Sequence, residues 1–415
     1  MTSHARTSFD VGETAVDLPL RVEPQLVLVL SGDAPLESSV RVLLGDVCEI
    51  TVGRGAHRRF AVSAAGRDRR LHIDLIGECV SAMHARFVRI DDEWYVEDAD
   101  SKNGTFVDGV PISDRTQLAD GAVIEIGGTF FVYRIGSVYD DRWIVSDADL
   151  VARAREFVTY SGMLADSYEK LARSVDGGSH VVKIVGDIHA RKAAARALHR
   201  LSKRPGPLAE TYNLVGLSEN DVAALLFGYW QGPASADDAE RGGLLYAARD
   251  GSLILEDMGK LPHKSQLGLR YAIKNRRHTP LGVYKPVPLA TLFIATMDDG
   301  DQSTFWEDLE VNSPVCICIP HLVERREDTG LILRELAAEL PSDVSARIVL
   351  SLPAARALFL HGWPSDVSSL RSALRSAIAW AAGSPISCKH LGLEALPEYL
   401  RVAKGSRSGT SNLEW

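Results

Sequence analysis

Ser101-Lys102-Asn103-Gly104-Thr105 sits between two short β-type stretches, Trp94 to Glu97 and Val123 to Ile126. Asn-Gly is a strong signal for a tight turn, because glycine takes positive φ at no steric cost and asparagine tolerates it. A threonine after the pair can lock that turn by hydrogen bonding. Upstream, Ser81-Ala82-Met83-His84 and Gly53-Arg54 stand in the same kind of setting. Arginine offers a fork of donors matched to a phosphate, and a serine hydroxyl with backbone N–H groups can complete the cage.

Working outward, the chain from Gln25 to about Ile135 reads as a series of short strands. Leu26-Val27-Leu28-Val29-Leu30, Val40 to Leu44, His84 to Ile90, Trp94 to Glu97 and Val123 to Ile126 are separated by Asp- and Gly-rich turns. Many short strands at this spacing predict a β-sandwich. Residues 1–24 lack periodic hydrophobicity and are expected to form a flexible tail.

Taken together and in order, Gly53-Arg54, Ser81 to His84 and Asn103-Gly104-Thr105 resemble the forkhead-associated (FHA) domain, a reader of phosphothreonine peptides. The resemblance implies that Arg54 and Ser81 hold the phosphate, Asn103 grips the peptide backbone and His84 braces the loop. Lys102 would touch peptide or phosphate, while Gly104 and Thr105 support the turn. One position departs, since the family's arginine after the serine is Ala82 here. The stretch Arg58 to Arg70 carries Arg58, Arg59, Arg67, Arg69 and Arg70 and is expected to lengthen one loop, adding charge at the peptide site or facing solvent. Thr14-Ala15-Val16-Asp17 has the spacing of a phosphothreonine followed by an acidic residue, although an ordinary tail threonine is the simpler expectation.

From Asp147 the period becomes helical, with Leu150, Ala154, Phe157 and Val158 on one stripe. Beyond Gly177-Gly178, strands (His180–Val185, Ser252–Leu255, Ala290–Ala295) alternate with helices (Lys192–Leu201, Gln266–Lys274), which predicts a parallel α/β sheet. From Thr329 onward the pattern is helical, broken at Pro341, at Gly362 to Pro364 and at Gly383 to Pro385.

This region resembles the AAA+ domain of sigma-54-dependent transcription activators. The match rests on Gly186 through Lys192, Leu226-Phe227-Gly228, Gly251 through Asp257, Ile319-Pro320-His321-Leu322 with Arg325-Arg326-Glu327-Asp328, and Trp363-Pro364-Ser365-Asp366-Val367. A phosphate loop needs glycines whose backbone N–H groups wrap the phosphates and a lysine that reaches the outer ones. Gly186 and Lys192 are present, but the glycine before the lysine is Arg191. Walker B should offer aspartate and then glutamate, whereas Glu256-Asp257 reverses them, and a misplacement of about 1 Å can cost roughly a hundredfold in rate. Met297 stands where the family has asparagine. Trp306 and Asn312 replace two arginines of the kind that contribute roughly 10³–10⁵ in related phosphoryl transfer, and Ser368 replaces the lid arginine. The family's polymerase-contacting loop reads Gly232-Pro233-Ala234-Ser235-Ala236-Asp237 here, without the aromatic contact. Gly186, Arg191, Lys192, Glu256 and Asp257 are therefore candidates for binding ATP with magnesium, and no catalytic residue is assigned.

The expected architecture is multidomain: a tail (1–24), an all-β FHA sandwich (25–137), a helical linker (138–160), an α/β AAA+ subdomain of P-loop type (161–335), a helical lid (336–400) and a tail (401–415). A net charge of -9 argues against a protein coated by nucleic acid, which needs a basic face. No helix-turn-helix is recognised after the lid, so a DNA-binding module is not expected. No apolar run reaches the roughly 18 residues of a membrane span, and no signal peptide is evident, so a cytoplasmic location is expected. Five cysteines form no disulfide framework, and Cys316-Ile317-Cys318 reads as a buried strand rather than half of a metal site.

The function expected from these features is a signalling adaptor. Its FHA domain would recruit a phosphothreonine protein made by a serine/threonine kinase, and its altered AAA+ domain would serve assembly, including self-association. The alternatives are an ATP-driven sigma-54 activator switched by phosphopeptide, and a ring component that binds nucleotide without turning it over.

Overall fold

The computed structural model describes residues 21–65, 68–138, 142–153, 158–211, 214, 216–228, 243–280, 286–298, 305, 315–345 and 348–393. The expected tails, Thr14, the loop from Gly232 to Asp237, and Trp306 and Asn312 lie outside them.

The front half is a two-sheet sandwich. Its strands are β1 (Arg21–Ser31), β2 (Val40–Leu43), β3 (Val47–Arg54), β4 (Arg59–Ala65), β5 (Asp68–Leu75), β6 (Ala85–Ile90) and β7 (Glu93–Asp98). They continue as β8 (Thr105–Val107), β9 (Val110–Pro111), β10 (Thr116–Gln117), β11 (Val123–Ile126), β12 (Thr129–Val138) and β13 (Ile144–Ser146). One sheet has the order β13-β2-β1-β12-β11-β8-β9, the other β10-β7-β6-β3-β5-β4. The core between them holds Leu26, Leu28, Ile50, Phe87, Trp94 and Phe131.

Two expectations change here. The arginine-rich stretch is not a loop, because β4 and β5 pair antiparallel from Arg59 opposite Asp74 to Ala65 opposite Asp68. The linker begins as a strand, with β13 pairing to β2, before α1 (Asp147–Arg153).

The second half opens with α2 (Gly162–Asp176) and then alternates as expected: β14 (Val181–Val185), α3 (Ile188–Leu201), β15 (Leu208–Glu210), α4 (Glu219–Phe227), α5 (Gly243–Ala247) and β16 (Ser252–Glu256). It continues with α6 (His263–Asn275), the short pair β17 (Arg277–His278) and β18 (Val287–Pro288), then β19 (Leu292–Met297) and β20 (Val315–Cys318). The parallel sheet has the order β15-β16-β19-β14-β20. β20 is an edge strand, and only Ile317 of its Cys-Ile-Cys run is buried. Cys316 and Cys318 are exposed on the opposite side, correcting the reading of a fully buried strand. The lid comprises α7 (Thr329–Ala338), α8 (Ser342–Ser345), α9 (Leu352–Leu360) and α10 (Asp366–Ala381).

The sandwich is not a free module. Val27, Val29, Leu30, Phe130 and Val132 point away from its core and share a second core with Leu358, Phe359, Trp363 and Leu370 of the lid. Phe130 and Phe359 stack with centroids 5.1 Å apart. At Gly330 in α7, a Cβ would lie 2.4 Å from the Val29 carbonyl oxygen and from Ser39 Oγ, so only glycine permits this approach. The Leu350 N–H donates to the Gly32 carbonyl at 3.0 Å, joining the two backbones.

Candidate functional site

The first candidate site starts from a close backbone approach. A Cβ at Gly53 would lie 2.1 Å from the Ala82 carbonyl oxygen. With glycine there, the Arg54 N–H donates to the Ser81 carbonyl at 2.9 Å, placing the two phosphate candidates side by side. Arg54 is exposed at the end of β3. Ser81 Oγ accepts from the Lys102 N–H at 3.0 Å, which leaves its own hydroxyl hydrogen free to point outward. Asn103 Nδ2 donates to the Cys79 carbonyl at 2.8 Å, fixing the amide plane at the loop edge. Arg54, Ser81, Lys102 and Asn103 thus meet on one surface.

His84 is buried and joins the two loops from beneath. Its Nδ1 accepts from the Ser81 N–H at 3.0 Å, and its Nε2 lies 3.2 Å from the Gly104 carbonyl. That pair of contacts requires the neutral ring with hydrogen on Nε2. Burial lowers its pKa, against opposing pulls from the Gly104 carbonyl and Asp98. Gly104 holds φ +77°, where side chains are strained.

The sequence pointed to Thr105 as a lock for the turn but missed the other residues that hold it, Asp98 and Ser101. Asp98 Oδ1 accepts from Ser101 Oγ at 2.6 Å and from Thr105 Oγ1 at 2.7 Å. Ser101 Oγ in turn accepts from the Gly104 N–H at 2.9 Å. Burial pushes the Asp98 carboxyl up, but these hydrogen bonds outweigh it and hold the pKa below the ordinary range. The signal was Asp98 followed three residues later by Ser101, a common side-chain turn pattern. The arginines of the β4–β5 region are paired: Arg59 with Asp74 at 2.9 Å and Arg70 with Glu49 at 3.3 Å within their own sheet, and Arg58 with Glu37 of the β1–β2 loop at 3.1 Å.

The second candidate site brings all five nucleotide residues together, but in a closed arrangement. Helix α3 starts at Ile188, earlier than the expected Lys192, so the segment that should wrap a phosphate is already helical. Asp187 caps this helix, its Oδ1 accepting from His189 N–H at 2.8 Å and Ala190 N–H at 3.3 Å. The Gly186 N–H donates to the Met297 carbonyl at 3.2 Å and the Arg191 N–H to the Asp187 carbonyl at 2.9 Å.

Arg191 is almost fully buried and is held by the Gly186 carbonyl at 3.1 Å, by Asp298 and by Glu256 at 3.4 Å. Lys192 Nζ lies 3.4 Å from Glu256 Oε2, and Lys260 Nζ lies 2.8 Å from Asp257 Oδ2. Asp257 has φ +51°, so the reversed Walker B carboxylate leaves the strand at an unusual angle. ATP with magnesium is the cofactor that the AAA+ fold implies, and much of what would hold it is already paired here. The His189 and Ala190 amides are taken by Asp187, Lys192 by Glu256 and Asp257 Oδ2 by Lys260, while Asp257 Oδ1 is buried without a hydrogen-bond partner. Among the described residues, no group of three or more histidine, cysteine or acidic side chains could hold a metal ion.

Comparison with known proteins agrees with both halves. Residues 63–127 match the FHA domain family, and residues 158–309 match the Sigma-54 interaction domain family. Gly53 and Arg54 precede the first match, and the lid follows the second. The chain therefore carries an FHA domain followed by an AAA+ domain of the sigma-54-dependent activator type.

It is 25% identical over 262 residues to a protein of Pseudomonas sp. (strain NS671) described as "Uncharacterized protein in HyuA 5'region", covering 61% of this chain and 88% of that one. It is 27% identical over 210 residues to the transcriptional regulatory protein ZraR of Salmonella typhi, covering 49% of this chain and 48% of ZraR. Against the regulators, then, the match spans about half of their length. The crystal structure of NtrX from Brucella abortus in complex with ATP aligns with TM-score 0.48 at 20% identity, covering 62% of this chain and 60% of that one. Among the described residues, no helix is long and apolar enough to cross a membrane.

Proposed function

We propose that this chain is a phosphothreonine-dependent adaptor. It recruits a phosphoprotein, the product of a serine/threonine kinase, through Arg54, Ser81, Lys102 and Asn103, and uses its AAA+ domain as a non-hydrolysing scaffold for assembly. The observation that carries the reading is the paired loop built on His84, which holds a guanidinium, a hydroxyl and an amide on one exposed surface while the nucleotide residues are bound to each other. Phosphate recognition through such charge-assisted bonds contributes about 1.5–3 kcal/mol per contact. The test is fluorescence anisotropy with phosphothreonine peptides and their unphosphorylated counterparts. Phosphate-dependent binding that Arg54→Ala weakens by about tenfold to a hundredfold is expected, and equal binding of both peptides sinks the reading.

A second reading is favoured by the Sigma-54 interaction domain match and by relatives named as transcriptional regulators: an ATP-driven activator of sigma-54 promoters. A reporter driven by such a promoter separates the two. Activation that depends on Lys192 replaces the adaptor; a silent reporter leaves it standing.

A further inference from the structure

We propose that Asp187 is a built-in substitute for a nucleotide phosphate, fixing the lid on the α/β subdomain so that its position does not depend on ATP. This rests on the reading of the AAA+ domain as a non-hydrolysing scaffold.

A helix N-terminus with free amides attracts an anion, because its N–H groups and dipole both favour negative charge. Here the anion belongs to the chain. One Asp187 oxygen takes the first free amides of α3. The other accepts from Ser368 Oγ at 2.8 Å, in the first turn of lid helix α10. The carboxylate therefore bonds α3 and the lid at once, the two elements a bound phosphate would bridge. A second contact secures the same turn, since buried Asp366 accepts from the Leu322 N–H at 2.6 Å.

The charge balance runs the same way. Glu256, Asp257 and Asp298 pair with Arg191, Lys192 and Lys260, so the cations that a phosphate would need are already matched by carboxylates. Arg191 fills the space that a glycine would leave open and is nearly fully buried there. A phosphate would have to displace Asp187 from the helix and separate Arg191 from its carboxylates.

The experiment uses the full chain, with a fluorescent ATP analogue and magnesium for affinity and hydrogen exchange for the lid. In the wild type, exchange at residues 366–371 is expected to be unchanged by ATP. Asp187→Ala and Ser368→Ala should each speed that exchange, and Asp187→Ser with Arg191→Gly should bind the analogue at least about tenfold more tightly than wild type. The proposal is overturned by saturable wild-type binding that protects residues 186–192, or by exchange at 366–371 that neither single substitution alters. Should the double variant fail to fold, the wild-type and Ser368→Ala results still decide. Phosphopeptide affinity, measured on the same samples, reports separately on the adaptor reading.

Discussion

Arg356 of α9 grips Glu125 of β11 with two parallel hydrogen bonds, Nε to Oε2 at 2.7 Å and Nη2 to Oε1 at 2.6 Å. Glu125 is only 3% exposed, so its carboxylate takes hydrogen bonds from this partner in place of water. The same guanidinium sits 4.4 Å from the centroid of Phe106, the residue after Thr105. A lid side chain thus braces the strand that leaves the Asn103-Gly104 loop. Removing one member of a buried pair strands the other, at a cost of about 3–5 kcal/mol. Arg356→Ala should lose stability of that order in urea unfolding. Arg356→Lys should recover only part of it, because lysine lacks the fork. Equal stability of Arg356→Ala and wild type would show that the pair adds nothing.

Under the proposed function, Gly53 and Arg54 should act on peptide binding by different routes. Arg54→Ala should weaken a phosphothreonine peptide by about tenfold to a hundredfold and leave the fold unchanged, since the side chain is exposed. Gly53→Ala should weaken binding as well, but through the backbone, because its Cβ would drive Ala82 and Ser81 away from Arg54. Thermal unfolding alongside anisotropy distinguishes them: a lowered midpoint is expected for Gly53→Ala alone.

The residues of the proposed peptide site could be picked out in the sequence because each motif is local: turn glycines, a histidine between strands, and hydroxyls at fixed short spacing. The docking of the sandwich onto the lid was not, since it joins residues more than two hundred positions apart, such as Phe130 and Phe359. A signal did exist. Leu26 to Leu30 is uninterrupted apolar sequence, and a strand with one face in solvent alternates. The run therefore demanded a cover on both faces, which the sandwich alone does not supply. In the AAA+ half, Arg191 and the reversed Glu256-Asp257 were visible as departures. That Asp187 would cap α3 and bond Ser368 was not, because it depends on where the lid closes.

That shared core gives a prediction about truncation. Phe359 is 2% exposed, and its replacement by alanine removes a ring from a packed interface at a cost of about 3–5 kcal/mol. A fragment ending near Ser146 would expose Val27, Val29, Phe130 and Val132 to water. Such a fragment should associate or precipitate where the full chain stays dispersed, as light scattering would reveal. A monodisperse, stable fragment would mean that the lid is not needed to cover that face.

Glu327 makes the interface sensitive to pH. It is 2% exposed, and Arg134 of β12 donates from Nε to its carboxylate at 2.8 Å. Burial pushes its pKa up to about 7, with Arg134 pulling down and neighbouring Asp328 pushing up. The folded state therefore holds a proton that the unfolded chain has released between its ordinary value near 4.5 and about 7. Folding stability must fall as pH rises through that window and level off above it, a change on the order of 2–4 kcal/mol from this group. Glu327→Gln cannot titrate, so subtracting its unfolding profile from that of the wild type isolates the effect. The difference should turn against the wild type as pH rises from about 5 to about 7.5. A flat difference across that range would place the Glu327 pKa near its ordinary value and make its pairing with Arg134 a full offset for burial.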